Sequence, residues 1–302
     1  MSTVGTAVAS VDEALPQMQE LASRLWTRSA RHHPGQLAWS ARYGLDLGHG
    51  PVALFRVAGE LVGWAWAEAD DWLELCVDPA HPDVVDDAAG WFLDRAPAGP
   101  LRTMTLETET GVLAGLSRAG FEVEDQPWFT HHHLDLTALR DVPPVPGYTL
   151  RHVEPSEHEE RAACHRAAWA APGGTSRVSA AAYAGLMATP PYRHELDWVA
   201  VTAEGEMVAS CLVWLDPGTG VALVEPVGCA PDHRGRGLAG AVSLAALHAA
   251  RDAGASLGLV CPRGDDDHPV PGRVYRALGF EPGPRTLTLR FGSPTSGDLS
   301  AS

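Results

Sequence analysis

Hydrophobic positions along the chain recur in two rhythms, one of period near 3.6 and one of period 2, and their succession lays out a mixed α/β protein. Asp12–Arg31 has the helical period, Val52–Val57 alternates as a strand, and Ala58-Gly59-Glu60 turns the chain into a second strand over Leu61–Ala69. Trp72–Val77 is strand-like, Val84–Ala96 helical, Leu101–Glu107 strand-like, and Leu113–Ala119 helical ahead of Gly120-Phe121. A second series repeats the order: helix over Pro155–Ala170, strand Trp198–Thr202, turn Ala203–Glu206, strands Met207–Leu215 and Val221–Cys229. It ends with a helix over Gly237–Ala253, strand Ser256–Cys261, a short helix through Tyr275, and Gly279-Phe280. Two passes through one order of signals are the mark of an internal duplication whose identity has decayed. Between them lies Leu139–Gly147, with three prolines in nine residues, which forbids a helix and favours an extended connector. The expected organisation is therefore one domain over 1–138, a linker over 139–147, a second domain over 148–292 and a disordered tail over 293–302.

A length of 302 residues agrees with two domains that each bury a core, and 45% hydrophobic with 20% charged residues is the composition of a folded chain. The formal charge of −16 argues against nucleic acid or an anionic membrane as partner, since either needs a dense basic footprint. Lysine, asparagine and isoleucine are absent, so all 22 basic residues are arginine. The codons for those three all begin AA or AT, which points to a GC-rich bacterial genome rather than to the fold. The longest uncharged apolar stretch, Leu238–Ala250, is shorter than the roughly 20 residues that span a bilayer. Met1–Glu13 lacks the cationic start of a secretory signal, and the five cysteines (76, 164, 211, 229, 261) are scattered without a CxxC. Reduced thiols and a cytoplasmic location are the expectation. His131-His132-His133 does not form a metal site, because neighbours on a strand face opposite ways; no metal is expected.

The segment richest in chemistry is Val227–Ala241, where a strand ends, Pro231 breaks it, and a glycine-rich loop opens directly into a helix. The first N–H groups of a helix have no intrahelical partner and sit at the positive end of its dipole, so they bind anions. Gly235 and Gly237 admit a close backbone approach, and Arg234 and Arg236 add charge. A pyrophosphate is the natural occupant. Gly235-x-Gly237-x-x-Gly240 also satisfies a dinucleotide fingerprint, but it falls late in the chain and the next strand lacks the acidic residue that reads the ribose. The remaining reading is a strand-to-helix turn with no ligand.

Arg234-x-x-Gly237-x-Ala239, after a strand bearing Val227 and Cys229, resembles the acyl-CoA pyrophosphate loop of the GNAT acetyltransferase superfamily. Leu257–Cys261 is similar to that family's next strand, and Tyr275-Arg-Ala-Leu-Gly-Phe280 to its Y-x-x-x-G-F signature. The resemblance spans 147–291 and, more faintly, 10–136. It implies two tandem GNAT-like domains, as in two-domain acetyltransferases of the mycothiol synthase type. Each would be an α/β (α+β) unit with a mixed, mostly antiparallel sheet flanked by helices, and the C-terminal copy would carry a splayed strand pair and the phosphate loop. Acetyl-CoA or another acyl-CoA is the implied cofactor. Its implied contacts are backbone groups of Val227, Gly228 and Cys229 and the loop Arg234, Gly235, Arg236, Gly237, Leu238 and Ala239. His268 stands where the family carries asparagine, and Pro271 falls where its helix starts. By resemblance Tyr275 protonates the leaving thiolate. Glu225, two residues before Val227, is placed on the same face by alternation and is a candidate to accept the amine proton or bind a cationic acceptor. The first copy departs further: Cys76–Val85 has no glycine or arginine, Asp78 and Asp83 would repel a pyrophosphate, and Leu116 stands where Tyr275 stands.

These residues imply an acyl-CoA-dependent N-acetyltransferase that transfers directly to a small-molecule amine in a ternary complex. The first domain is degenerate and the chain is monomeric as an internal pseudo-dimer. An O-acyl or protein N-terminal acyltransferase, and an acyl-CoA-binding sensor without turnover, are the competing readings.

Overall fold

Ser10 starts the first helix, α1 (Val11–Leu25), through a capping box: its hydroxyl accepts from the Glu13 amide at 3.4 Å, and the Glu13 carboxylate accepts from the Ser10 amide at 3.0 Å. The helix stops at Leu25, short of the predicted Arg31, because Trp26 turns extended. Its apolar stripe (Ala14, Leu15, Met18, Leu21, Ala22) is buried, and α1 packs on an antiparallel meander of β1 (Gly5–Ala9), β2 (Val52–Val57), β3 (Glu60–Ala69) and β4 (Trp72–Val77). The chain crosses through α3 (Val84–Leu93) to β5 (Leu101–Leu106), which runs parallel to β4. Helix α4 (Thr110–Arg118) and the short β6 (Glu122–Val123) follow. The free edge of β5 is filled by Thr286–Phe291 of β13 (Glu281–Phe291). Leu116, Phe121, Phe92 and Leu289 close this core.

The structure, a computed structural model, describes residues 4–43, 49–170, 176–265 and 269–292. They form two compact units, each with a mixed, mostly antiparallel sheet and flanking helices. The units are not the two contiguous stretches expected from sequence. Among the described residues the first takes 4–32, 49–129 and 284–292, and the second takes 33–43, 130–170, 176–265 and 269–283. The proline-rich stretch 139–147 therefore lies inside the second unit. Strand edges explain the difference, because an unpaired edge strand recruits whichever segment completes its ladder: Leu257–Val260 pairs with 132–135, and 101–106 pairs with 286–291. The tail 293–302 lies outside the described residues.

In the second unit the strand order is β7 (Thr130–Asp135), β12 (Leu257–Val260), β11 (Val221–Cys229), β10 (Met207–Asp216), β9 (Asp197–Thr202), β8 (Tyr148–His152). Every pairing is antiparallel except β11 with β12. Helices α7 (Leu238–Asp252) and α8 (Val270–Leu278) bury Leu238, Val242, Leu247 and Tyr275 against Cys211, Val213 and Val224. The helices α2 (Pro34–Tyr43), α5 (His158–Ala168) and α6 (Ala180–Met187) cover the opposite face. Covered on both sides, β10 is buried over its whole length. Within β7, His132 stands opposite Val260 and His133 opposite Leu259, on alternate faces. No helix among the described residues is long and apolar enough to cross a membrane.

Candidate functional site

Strands β11 and β12 pair only over Val221–Leu223 and Leu257–Leu259, then part, leaving the far half of β11 without a neighbour on that side. On its other side β11 stays paired to β10, but the register slips: Val224 faces Val213, whereas Val227 faces Cys211. Two residues, Glu225 and Pro226, fill the slip, and a proline has no N–H to give to a ladder. The alternation that put Glu225 and Val227 on one face does not continue through such a bulge. Val227 and Cys229 pack toward the core beneath α7, and Gly228 faces α5, where a Cβ would stand 2.3 Å from Trp169.

Past Cys229 a short turn, Pro231–His233, leads into the loop. Gly235 (φ +75°) and Gly237 (φ +79°) are both left-handed, and a Cβ on either meets nothing within 4 Å, so the loop's outer surface is open. No side chain caps α7, and its first backbone bond is Ala241 N–H to the Gly237 carbonyl at 3.0 Å. The amides of Leu238, Ala239 and Gly240 thus head a 15-residue helix beside an exposed glycine cradle. That is a donor set for an anion, at the end of the parted strands.

The two arginines do more than add charge. Arg234 donates through Nε to the Cys229 carbonyl (3.1 Å) and through a terminal nitrogen to the Ala168 carbonyl (2.9 Å), tying the loop to the ends of β11 and α5. Arg236 donates to the Tyr148 hydroxyl (2.7 Å) and the Asp232 carbonyl (3.1 Å), and Tyr148 also bonds His233 Nδ1 at 2.8 Å. Nothing in the spacing of Tyr148 and His233 announces this link, since 85 residues separate them.

Helix α8 has Pro271 in its first turn, where a missing N–H costs nothing, so the proline that departs from the family pattern starts the helix without breaking it. It ends at Gly279 (φ +103°), whose amide and that of Phe280 return to the Arg276 and Tyr275 carbonyls, each at 3.0 Å. This fixes Tyr275, 8% exposed, edge-on to Phe280 at 5.7 Å. Burial pushes its phenol above the ordinary range, with further upward pushes from Cys211, Glu225 and Cys261. Tyr275 and Glu225 are therefore electrostatic neighbours. Trp214, fully buried, donates to the Glu225 carbonyl at 2.7 Å. Burial also raises the Cys229 thiol, which makes a 3.6 Å contact to the Ala230 carbonyl. His268 lies outside the described residues.

Sequence reasoning missed a buried network behind this face. Arg161 and Asp197, both without exposure, pair at 2.9 Å, and Asp197 also accepts from the hydroxyls of Tyr183 (2.5 Å) and Tyr192 (3.2 Å). It pins α5 and α6 to the start of β9. His165 on α5 stacks on Trp169 at 4.2 Å, fixing the ring that covers Gly228.

The Acetyltransferase (GNAT) family matches at residues 159–280. Among solved structures, the chain is similar to a tandem GNAT protein from the clavulanic acid biosynthesis pathway (TM-score 0.65, 19% identity, 97% of this chain and 100% of that one). It is also similar to a GCN5-related N-acetyltransferase from Sphaerobacter thermophilus (TM-score 0.61, 20% identity, 95% of each chain). An acetyltransferase of the GNAT family from Colwellia psychrerythraea gives TM-score 0.61 at 16% identity over 96% and 100% of the two chains. At such identities the likeness establishes the fold. Comparison with curated proteins gave no match.

Proposed function

From the premise that the chain belongs to the GNAT acetyltransferase family through residues 159–280, we propose that it is an acyl-CoA-dependent N-acetyltransferase acting on a small-molecule amine by direct transfer. The observation that carries this reading is the parting of β11 from β12 just ahead of an uncapped helix start and its open glycine loop, with Tyr275 buried in the core against that helix. The donor set fits a pyrophosphate: left-handed glycines with open space above them, unpaired leading amides and two arginines. Gly235, Gly237, Leu238 and Ala239 would hold the diphosphate, and backbone groups of Val227, Gly228 and Cys229 the pantetheine arm. Acyl-CoA, when bound, supplies the activated thioester.

The residues of the chain then have separable tasks. Tyr275, protonated throughout the physiological range, holds the proton that the departing sulfur needs. Glu225, close enough to Tyr275 to act on it electrostatically, is the acid suited to draw a cationic amine in and to take its proton directly or through water. The first unit offers Asp78 and Asp83 where a phosphate would need donors, so one acyl-CoA per chain is expected. We also propose that the enzyme is a cytoplasmic monomer, in keeping with five unbridged cysteines.

Calorimetric titration with acetyl-CoA, followed by thiol release against a panel of amines, tests the proposal. One site and amine-dependent thiol release support it; binding without release from any amine favours a sensor, and no binding removes the reading.

A further inference from the structure

The first unit has its own parted strand pair. Strands β4 and β5 pair only at Trp72–Arg102 and Leu73–Thr103, and beyond them a gap opens. Residues 27–32, following α1, lie in it. Arg31 forms a buried ion pair with Glu74, donating at 2.8 Å to Oε1, and His32 Nε2 donates to the Leu75 carbonyl at 2.8 Å while its ring rests 4.9 Å from Trp64. The strand edge that would carry a pantetheine arm is thus already hydrogen-bonded at Leu75. What remains outside this plug is a cavity of about 220 Å³.

Its walls are mostly apolar: Leu25, Val77, Pro82, Val85 and Val112 among them. No arginine lines it, and the carboxyl groups that do are those of Asp78 and Glu109. Both carboxylates keep accepting capacity. Asp78 accepts from the Ala80 amide and from Arg24, which is half exposed; Glu109 accepts from the Thr105 hydroxyl and the amides of Leu106 and Arg31. Both acids are felt inside: after burial itself, Glu109 and Asp78 push the Cys76 thiol upward, opposed by the smaller downward pushes of Arg31 and Arg24. His32 is held neutral by burial and by Arg31, so it does not offset them.

We propose that this cavity is a second ligand site, selective for a small organic cation: an ammonium group on an apolar body of about ten non-hydrogen atoms, given that a cavity of ~150 Å³ holds a benzene. The charge enters between Asp78 and Glu109, and the body lies against Val85 and Val112. An acyl-CoA is excluded by the plugged strand edge and the acidic rim.

The test is calorimetry on the full chain with three probes of one shape: 2-phenylethylammonium, 2-phenylethanol and phenylacetate. The cation is expected to bind at least tenfold more tightly than the alcohol, with no binding of the anion. Asp78→Asn should weaken the cation roughly fivefold to tenfold and leave the alcohol unchanged, with Glu109→Gln acting in the same direction. Acetyl transfer, measured separately as thiol release, should be unaltered in Asp78→Asn, so failure here is distinct from failure of the acetyltransferase reading. Equal binding of all three probes, binding of none, or loss of the cation in Glu225→Gln but not in Asp78→Asn would each overturn the proposal. The last would mean that the amine sits in the acetylation site.

Discussion

A phenol placed in a nonpolar core under the influence of a carboxylate is a poor place for a negative charge, and under the proposed mechanism that is what would fit Tyr275 to keep a proton until a sulfur departs. Tyr275→Phe keeps the ring and its contact with Phe280 and removes only the O–H. The expected result is a turnover number about 10²- to 10⁴-fold lower with acetyl-CoA affinity unchanged, read by steady-state kinetics and calorimetry. An equal fall in affinity would make the tyrosine structural. Arg234 calls for a different variant pair, because its geometry is that of a clamp bridging two carbonyls. Arg234→Ala is expected to weaken acetyl-CoA binding about tenfold, the worth of one charge-assisted hydrogen bond net of water. Arg234→Lys should not restore it, since an ammonium lacks the planar fork; full recovery with lysine would show that charge alone matters. Both residues were legible in the sequence through their place in a motif. Asp197, which organises three partners, was not, because an ion pair between positions 161 and 197 leaves no periodic or local trace.

Elements were legible where local chemistry fixes them. The glycine that ends α8 marks a helix boundary in one letter, and the strand–loop–helix unit over 221–252 carries its own punctuation. The partners of β12 and β5 were not legible, because a strand's sequence shows which face is apolar but not which distant segment will complete its ladder. The bulge at Glu225-Pro226 escaped for a related reason: alternation assumes an unbroken register, and only the pairing with β10 reveals the slip. Two glycines of the same segment should respond differently to one added methyl. At Gly237 the space is open and the cost is the left-handed backbone alone, so Gly237→Ala should destabilise by about 1–2 kcal/mol while weakening acetyl-CoA binding. At Gly228 the methyl meets the Trp169 ring and Ala168, so Gly228→Ala forces α5 off β11 at about 1–3 kcal/mol. Urea unfolding of both variants separates the two mechanisms: combining Gly228→Ala with Trp169→Ala should recover part of the loss, whereas Trp169→Ala should do nothing for Gly237→Ala.

At the scale of the molecule, the burial of imidazoles ties stability to pH. His33 donates to the Val221 carbonyl at 3.3 Å and accepts from the Gly35 amide at 3.0 Å, and burial holds its pKa down at about 4. His165, between Trp39 and Trp169, is pushed down to about 3 by burial and then by Arg161 and Arg166. In the unfolded chain both titrate near 6.5. The folded state therefore binds fewer protons between these values, and the contribution of the neutral rings, complete above pH 6.5, is lost as pH falls toward 4. At pH 5 the loss is roughly 2 kcal/mol for each histidine, at about 1.4 kcal/mol per pH unit. Carboxylates held below their usual range, Glu157 by Arg151 and, against its own burial, Glu195 by its own backbone amide and then Arg193, lose their contribution only under about pH 4.5. The interval from 6.5 to 5 accordingly belongs to the histidines. Urea unfolding at pH 7.5 and pH 5.0 should show a fall of at least about 4 kcal/mol in unfolding free energy, because burial also lowers His32 and His132. The variant His165→Phe, which keeps a ring to stack on Trp169, should remove about 2 kcal/mol of that fall, and a pH response identical to the parent would show that His165 is not one of the groups that set it.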